Sequence, residues 1–218
     1  MKLYGYYRSS ASYRLRIILN FKGLDWEYRT VNLLEGEHKA EEYRAMNPLG
    51  LVPALDTGET VLAQSPAIAE FLEEQHPEPA LLPRDPLGRA RVREMMHTIG
   101  CEIHPLQNLG VLLHIKETYS LDDAAVQAWG RKWIDRGFSA FETMAQARSS
   151  DGRFSYGDSF TLADVWLIPQ LYNAHRFELD LTPYPTIVAI DKQCQTMDVV
   201  AAAHPSRQPD APSEQVQS

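Results

Sequence analysis

Four prolines fall within ten residues, Pro77, Pro79, Pro83 and Pro86, and the periodicity of the chain changes across them. Proline fixes φ and removes a backbone donor, so such a run fits neither a helix interior nor a central strand, and the chain must divide there. Before the run, short strands alternate with helices. Residues 2–6 read as a strand. Residues 10–22 carry apolar side chains at Ala11, Leu15, Ile18 and Leu19, a helical spacing closed by Gly23. Trp26, Tyr28 and Thr30 alternate with Glu27, Arg29 and Val31 as in a second strand, giving a βαβ start. A charged helix is expected over residues 38–46, then a loop Asn47-Pro48-Leu49-Gly50 and a hairpin turning at Asp56-Thr57-Gly58-Glu59. A further helix opens at Ser65-Pro66, with Ser65 as N-cap and Pro66 in the first helical position.

After the prolines the pattern is helical, over residues 87–104, 106–119 and 122–147. Another helix begins at Thr161, with Asp164 completing a short capping box. The tail from His204 carries Pro205, Pro209 and Pro212 among polar residues and reads as extended or loosely ordered. The expected organisation is an α/β domain over residues 1–80, a linker over 81–86 and an all-helical domain over 87–218.

Three segments point to chemistry. Arg8-Ser9-Ser10-Ala11-Ser12-Tyr13-Arg14-Leu15-Arg16 lies where the first strand turns into the first helix. Hydroxyls and free N–H groups at a helix start favour an anion, a thiolate included, although serine there also serves simply as a cap. Leu51-Val52-Pro53-Ala54 puts an X-Pro bond ahead of a strand, and a cis bond at Val52-Pro53 would turn the Val52 backbone toward a bound peptide. Gln64-Ser65 opens a helix whose first N–H and hydroxyl suit a carboxylate.

Bulk properties narrow the partners. A net charge of −8 opposes binding to a phosphate backbone, and no apolar run approaches the roughly 20 residues of a membrane helix. The start, Met1-Lys2-Leu3-Tyr4, lacks an apolar signal core, so a cytoplasmic location is expected. Cys101 and Cys194, with no CxxC or Cys/His spacing around them, suggest neither a disulfide scaffold nor a metal site. Small molecules are the expected ligands.

In their order and placement, the three segments resemble the glutathione site of thioredoxin-fold transferases. Residues 8–16 look like the zeta-class signature Ser-Ser-Cys-Ser-x-Arg-Val-Arg. His104-Pro105-Leu106-Gln107-Asn108-Leu109, Asp180-Leu181-Thr182-Pro183-Tyr184-Pro185-Thr186-Ile187 and His204-Pro205-Ser206-Arg207-Gln208-Pro209-Asp210 resemble stretches of the maleylacetoacetate and maleylpyruvate isomerases of that class. The likeness spans nearly the whole chain. It implies a thioredoxin-like domain followed by a helical one, glutathione as cofactor, a homodimer, and cis–trans isomerisation of a dicarboxylic keto acid. Maleylacetoacetate is the expected substrate, with maleylpyruvate or small α-halo acids as alternatives and a non-catalytic binding module as the contrasting reading.

Residue by residue, the resemblance implies Ser9 as thiolate stabiliser with Ser10 and Ser12 as helpers. His38, Val52, Pro53, Gln64 and Ser65 become glutathione contacts, joined by Glu102 and His104 near the γ-glutamyl end. Arg8 and Arg176 are expected to take the substrate carboxylates, for which the guanidinium fork is suited. Two departures stand out: Ala11 replaces the signature cysteine, and Leu109-Gly110-Val111 replaces an arginine that some bacterial relatives carry there.

Overall fold

A computed structural model of the chain describes residues 1–212. It divides into two compact units: Met1–Ala80 together with the chain from Thr196 onward, and Leu81–Gln195.

In the first unit, β1 (Lys2–Gly5) pairs in parallel with β2 (Glu27–Thr30), Lys2 opposite Glu27 and Gly5 opposite Thr30. Parallel neighbours need a crossover, which α1 (Ser10–Phe21) supplies. The charged segment expected as one helix is broken at Ala40, whose extended φ of −60° and ψ of 145° separates a 3-10 turn, Glu37–Lys39, from α2 (Glu41–Met46). An antiparallel hairpin of β3 (Ala54–Asp56) and β4 (Val61–Ala63) completes a sheet of order β2-β1-β3-β4, followed by α3 (Ser65–Gln75).

Leu3, Leu15, Ile18, Leu55, Ile68 and Leu72 are fully buried in this unit, each worth about 1.5–3 kcal/mol on leaving water. Lys22 is buried beside them, paired with Glu73 at 2.8 Å and donating to the carbonyls of His76 and Pro79 at 2.6 and 3.1 Å. Every donor of that ammonium thus faces an acceptor, so removing Glu73 alone would strand the charge at a cost of about 3–5 kcal/mol.

The second unit is helical: α4 (Pro86–Glu102), α5 (Leu109–Thr118), α6 (Asp123–Arg148), α7 (Leu162–Arg176) and α8 (Pro185–Cys194). Pro105 lies in a 3-10 turn, His104–Gln107, and Asn108 caps α5 by accepting the Gly110 N–H at 2.9 Å, so the helix expected from residue 106 starts at Leu109. Residues 162–171 are buried on every side, apolar but for Asp164 and Gln170, which are hydrogen-bonded. The capping box at its start is present: Asp164 accepts from the Thr161 and Ser155 N–H groups at 2.8 and 2.7 Å.

Two boundaries differ from those read in the sequence. Leu81 and Leu82 are buried in the second unit, and the Leu81 carbonyl accepts the Leu162 N–H at 2.9 Å; two leucines with a core to join are not a free linker. At the other end, α9 (Asp198–Ala203) packs on α1, so the chain after residue 195 belongs with the first unit and not the helical one. The tail expected to be loose forms a 3-10 turn, Pro205–Arg207, and Gln208 Nε2 donates to the carbonyls of Ala202 and His204 at 3.1 and 2.9 Å. The rest of that expectation, residues 213–218, lies outside the described residues.

Candidate functional site

The turn from β1 into α1 is set by Ser9. Its backbone is extended at φ −69° and ψ 118°, and its hydroxyl caps α1 by accepting the Ser12 N–H at 3.2 Å. A hydroxyl oxygen occupied as an acceptor keeps its own hydrogen to donate. Beside it, the N–H groups of Ser10 and Ala11 open the helix without intrahelical acceptors, as any helix start does. Ser9 is half-buried, within reach of a solute, whereas Ser10 is buried. Ser12 is fully buried and turned inward, its Oγ accepting the Tyr6 N–H at 3.4 Å, so its hydroxyl shapes the turn from within. Ala11 is buried on the same first turn, and Arg8 is half-buried.

The second element is the loop before β3. The Val52–Pro53 peptide is cis, as is Glu78–Pro79. Tyr43 Oη and Asn47 Nδ2 both donate to the Leu51 carbonyl, at 2.7 and 2.6 Å, and fix the chain one residue ahead of Val52. Gly50, at φ 59°, passes so near His38 that a Cβ would lie 2.8 Å from the His38 carbonyl, so this turn is open only to glycine. Among the described residues nothing hydrogen-bonds the Val52 N–H or carbonyl. An unpaired donor and acceptor on one residue suit an added peptide strand. His38 sits at the edge of this loop with Nδ1 buried and unbonded, and burial, then the Lys39 charge, holds its imidazole below the ordinary range.

The third element opens α3. Gln64, not Ser65, is the N-cap residue; it has φ 71° and ψ 110° and makes no side-chain cap bond. Outside glycine such a conformation is strained, and strain of this kind gathers at functional sites. It leaves the Gln64 side chain exposed and Ser65 as the first helical residue. The Ser65 hydroxyl accepts from Arg14 Nη1 at 3.3 Å. Arg14 is wholly buried, which lowers its pKa to about 9 and still leaves the guanidinium charged at neutral pH. A fixed cation thus stands behind the hydroxyl at a helix start.

Glu102, His104 and Arg176 belong to the second unit. Glu102 ends α4 and is exposed; His104 opens the 3-10 turn and is half-buried. Arg176 ends α7, exposed, with Nη1 donating to Asn173 Oδ1 at 2.9 Å. Asn173 Nδ2 donates in turn to Gln107 Oε1, and Gln107 Nε2 to Gln170 Oε1 at 3.2 Å. This chain of buried amides joins the His104 turn to the arginine. Gly130 helps seat the same helix end, since a Cβ there would fall 2.1 Å from the Phe177 ring. Sequence reasoning missed the Gln107 relay and the Arg14–Ser65 bond because each joins side chains more than 50 residues apart, and it missed the Tyr43–Asn47 clamp because its target, the Leu51 carbonyl, carries no side-chain signal.

The sheet order and the three elements of the first unit are in keeping with the glutathione S-transferase class, and comparison with known proteins places the chain in it. Residues 3–80 match the family described as glutathione S-transferase, N-terminal domain. The chain is 50% identical to a maleylpyruvate isomerase of Ralstonia sp. over 97% of its own length and 100% of the relative's. It superposes with a TM-score of 0.95 on the holo structure of a zeta-class maleylpyruvate isomerase, at 50% identity, covering 97% of this chain and all of that one. A maleylacetoacetate isomerase from Methylobacterium extorquens AM1, solved with malonate and glutathione bound, gives a TM-score of 0.94 at 37% identity, covering 98% of this chain and 100% of that one. The chain belongs to the family of zeta-class glutathione S-transferases that contains the maleylpyruvate and maleylacetoacetate isomerases.

Proposed function

We propose that the chain catalyses glutathione-dependent cis–trans isomerisation of a maleyl-substituted keto acid, with maleylacetoacetate as substrate and its fumaryl isomer as product. The observation that carries this is the Ser9 hydroxyl, capping α1 with its proton left to donate, in a chain half identical to an isomerase of this chemistry.

Glutathione fits the first unit: the unpaired Val52 backbone suits its cysteinyl peptide, Gln64 and Ser65 its γ-glutamyl end, and His38 its glycyl end. When bound, it supplies a thiolate whose reversible addition to the conjugated double bond permits rotation. Ser9 donates a hydrogen bond to the sulfur and the α1 start favours its charge. A free thiol has a pKa near 8.5, so a fall of about two units makes thiolate the main form at pH 7. Ser10 and Ser12 support that turn. Arg8 and Arg176 take the substrate carboxylates, a role in keeping with the malonate bound by the Methylobacterium relative. Glu102 and His104 act at the γ-glutamyl end, and the His38 imidazole, held neutral by burial and Lys39, offers a hydrogen bond and not a charge.

Maleylpyruvate is the second reading, favoured by the 50% identity to the Ralstonia enzyme. The working form is a cytoplasmic homodimer, a reading supported by the exposed Leu49 and Leu51 of the first unit and by the likeness to the family.

Stopped-flow absorbance with freshly prepared maleylacetoacetate and maleylpyruvate, with and without glutathione, tests the assignment. Glutathione-dependent conversion, reduced about 100-fold in Ser9→Ala, is expected, and the ratio of kcat/KM for the two acids identifies the substrate. Glutathione binding without conversion of either acid, accompanied by halide release from chloroacetate, would replace isomerisation with dehalogenation.

A further inference from the structure

The stretch His204-Pro205-Ser206-Arg207-Gln208-Pro209-Asp210 has no part in the chemistry above, yet it ends on the site's own turn. Asp210 Oδ2 accepts the Tyr7 N–H at 2.8 Å and the Tyr28 hydroxyl at 3.4 Å. The Tyr7 carbonyl is held from the other side by Arg16 Nη2 at 2.9 Å, and Arg16 Nε donates at 2.9 Å to the carbonyl of Ala203, at the end of α9. Both polar groups of the Tyr7 backbone are therefore tied by side chains that involve the C-terminal segment, two residues before Ser9.

The other bonds of the turn are local: Ser9 N–H to the Tyr6 carbonyl at 3.0 Å, Tyr13 N–H to the Ser9 carbonyl at 2.9 Å, and Tyr6 N–H to Ser12 Oγ at 3.4 Å. These define the helix start and hold the Tyr6–Tyr7 peptide through its Tyr6 carbonyl, but none of them bonds the Tyr7 N–H or the Tyr7 carbonyl, which lie in successive peptides. Arg16 is fully buried, and its charge is offset by neighbours that include Tyr28 and Asp210. A buried guanidinium and a carboxylate brought from the far end of the sequence are a costly way to hold the two peptides that flank Tyr7 unless their orientation matters. Displacement of a catalytic group by about 1 Å can cost as much as 100-fold in rate.

We propose that Asp210 and Arg16 are positioning residues for Ser9, and that the C-terminal segment is a strap fixing the two peptides that flank Tyr7 so that the Ser9 hydroxyl stays directed at the glutathione sulfur. The proposal rests on the reading of Ser9 as the thiolate stabiliser.

Three measurements on the full chain test it: amide hydrogen exchange at Tyr7 without ligand, the pKa of the bound glutathione thiol from ultraviolet thiolate absorbance, and kcat and KM separately. Asp210→Ala is expected to speed Tyr7 exchange at least tenfold and raise the thiol pKa by about half to one unit, with kcat falling about three- to tenfold and substrate KM little changed. Asp210→Asn keeps an oxygen acceptor for the Tyr7 N–H and should restore most of both readouts. Asp210→Ser, polar but too short to reach, should behave as the alanine variant and serves if that one fails to fold. An unchanged thiol pKa in a folded Asp210→Ala or Asp210→Ser protein overturns the proposal, as does an asparagine variant as impaired as alanine. Ser9→Ala separates the two layers: if it leaves the thiol pKa unmoved, the Ser9 reading falls; if it raises the pKa while loss of Asp210 does not, only the strap falls.

Discussion

The first unit and the second offer their candidate site residues in different materials. In the first, the candidate contacts lie largely in the backbone: an N-cap at Ser9, an N–H and carbonyl at Val52 that nothing among the described residues bonds, and Gln64 at φ 71°. In the second they are side chains, with Arg176 held through Asn173, Gln107 and Gln170. Backbone recognition suits a ligand that is itself a peptide and does not vary. Side-chain recognition can be retuned one residue at a time.

That contrast can be broken by experiment. Arg176→Ala should show the largest effect, lowering kcat/KM for the keto acid about 10- to 100-fold, the worth of a charge-assisted hydrogen bond. Glutathione affinity, read by calorimetry, should stay within about twofold; a parallel loss of both would mean that the two halves are not separable.

Loss of a side chain from the first unit should do the reverse. Gln64→Gly relieves the strain of φ 71° and is expected to raise stability by about 1 kcal/mol in thermal unfolding while weakening glutathione binding. A destabilised variant would show that the conformation carries no stored strain.

The smallest effect concerns His204, whose Nδ1 accepts the Ser206 N–H at 3.2 Å. Burial, then the Arg16 and Arg207 charges, holds its pKa below the ordinary value. The folded state thus keeps His204 neutral, and above pH of about 6.5 it is neutral in the unfolded chain too, so no stability is lost there. As pH falls from there through the depressed folded pKa, the unfolded chain binds the extra proton and stability falls, by at most about 1.4 kcal/mol per pH unit. His204→Gln should remove that component from the pH dependence of urea unfolding, and equal slopes in the two proteins would refute it.

The same contrast explains what could be read in advance. The βαβ start, the Ser9 turn, the Val52–Pro53 loop and the Thr161–Asp164 box were legible because each is local, written in residues within a few positions of one another. Ser65 was mistaken for the cap because serine is the commoner choice, and only the backbone shows that Gln64 takes the strained position. The helix α8 escaped because proline before a short apolar run reads equally as a loop, and α9 because it is only 6 residues long. The tail escaped for a different reason: its partners, Tyr7 and Arg16, lie about 200 residues upstream, and no local pattern announces them.

Ala11, buried beside Ser9 where the class signature has cysteine, carries a consequence for life under oxidative stress. The first 80 residues contain no cysteine at all; the chain's two thiols are an exposed Cys101 and a buried Cys194, both in the second unit. A thiol on the first turn of α1 would be a neighbour with which an activated sulfur could form a mixed disulfide. With alanine there, an oxidant finds no protein sulfur to couple at that position.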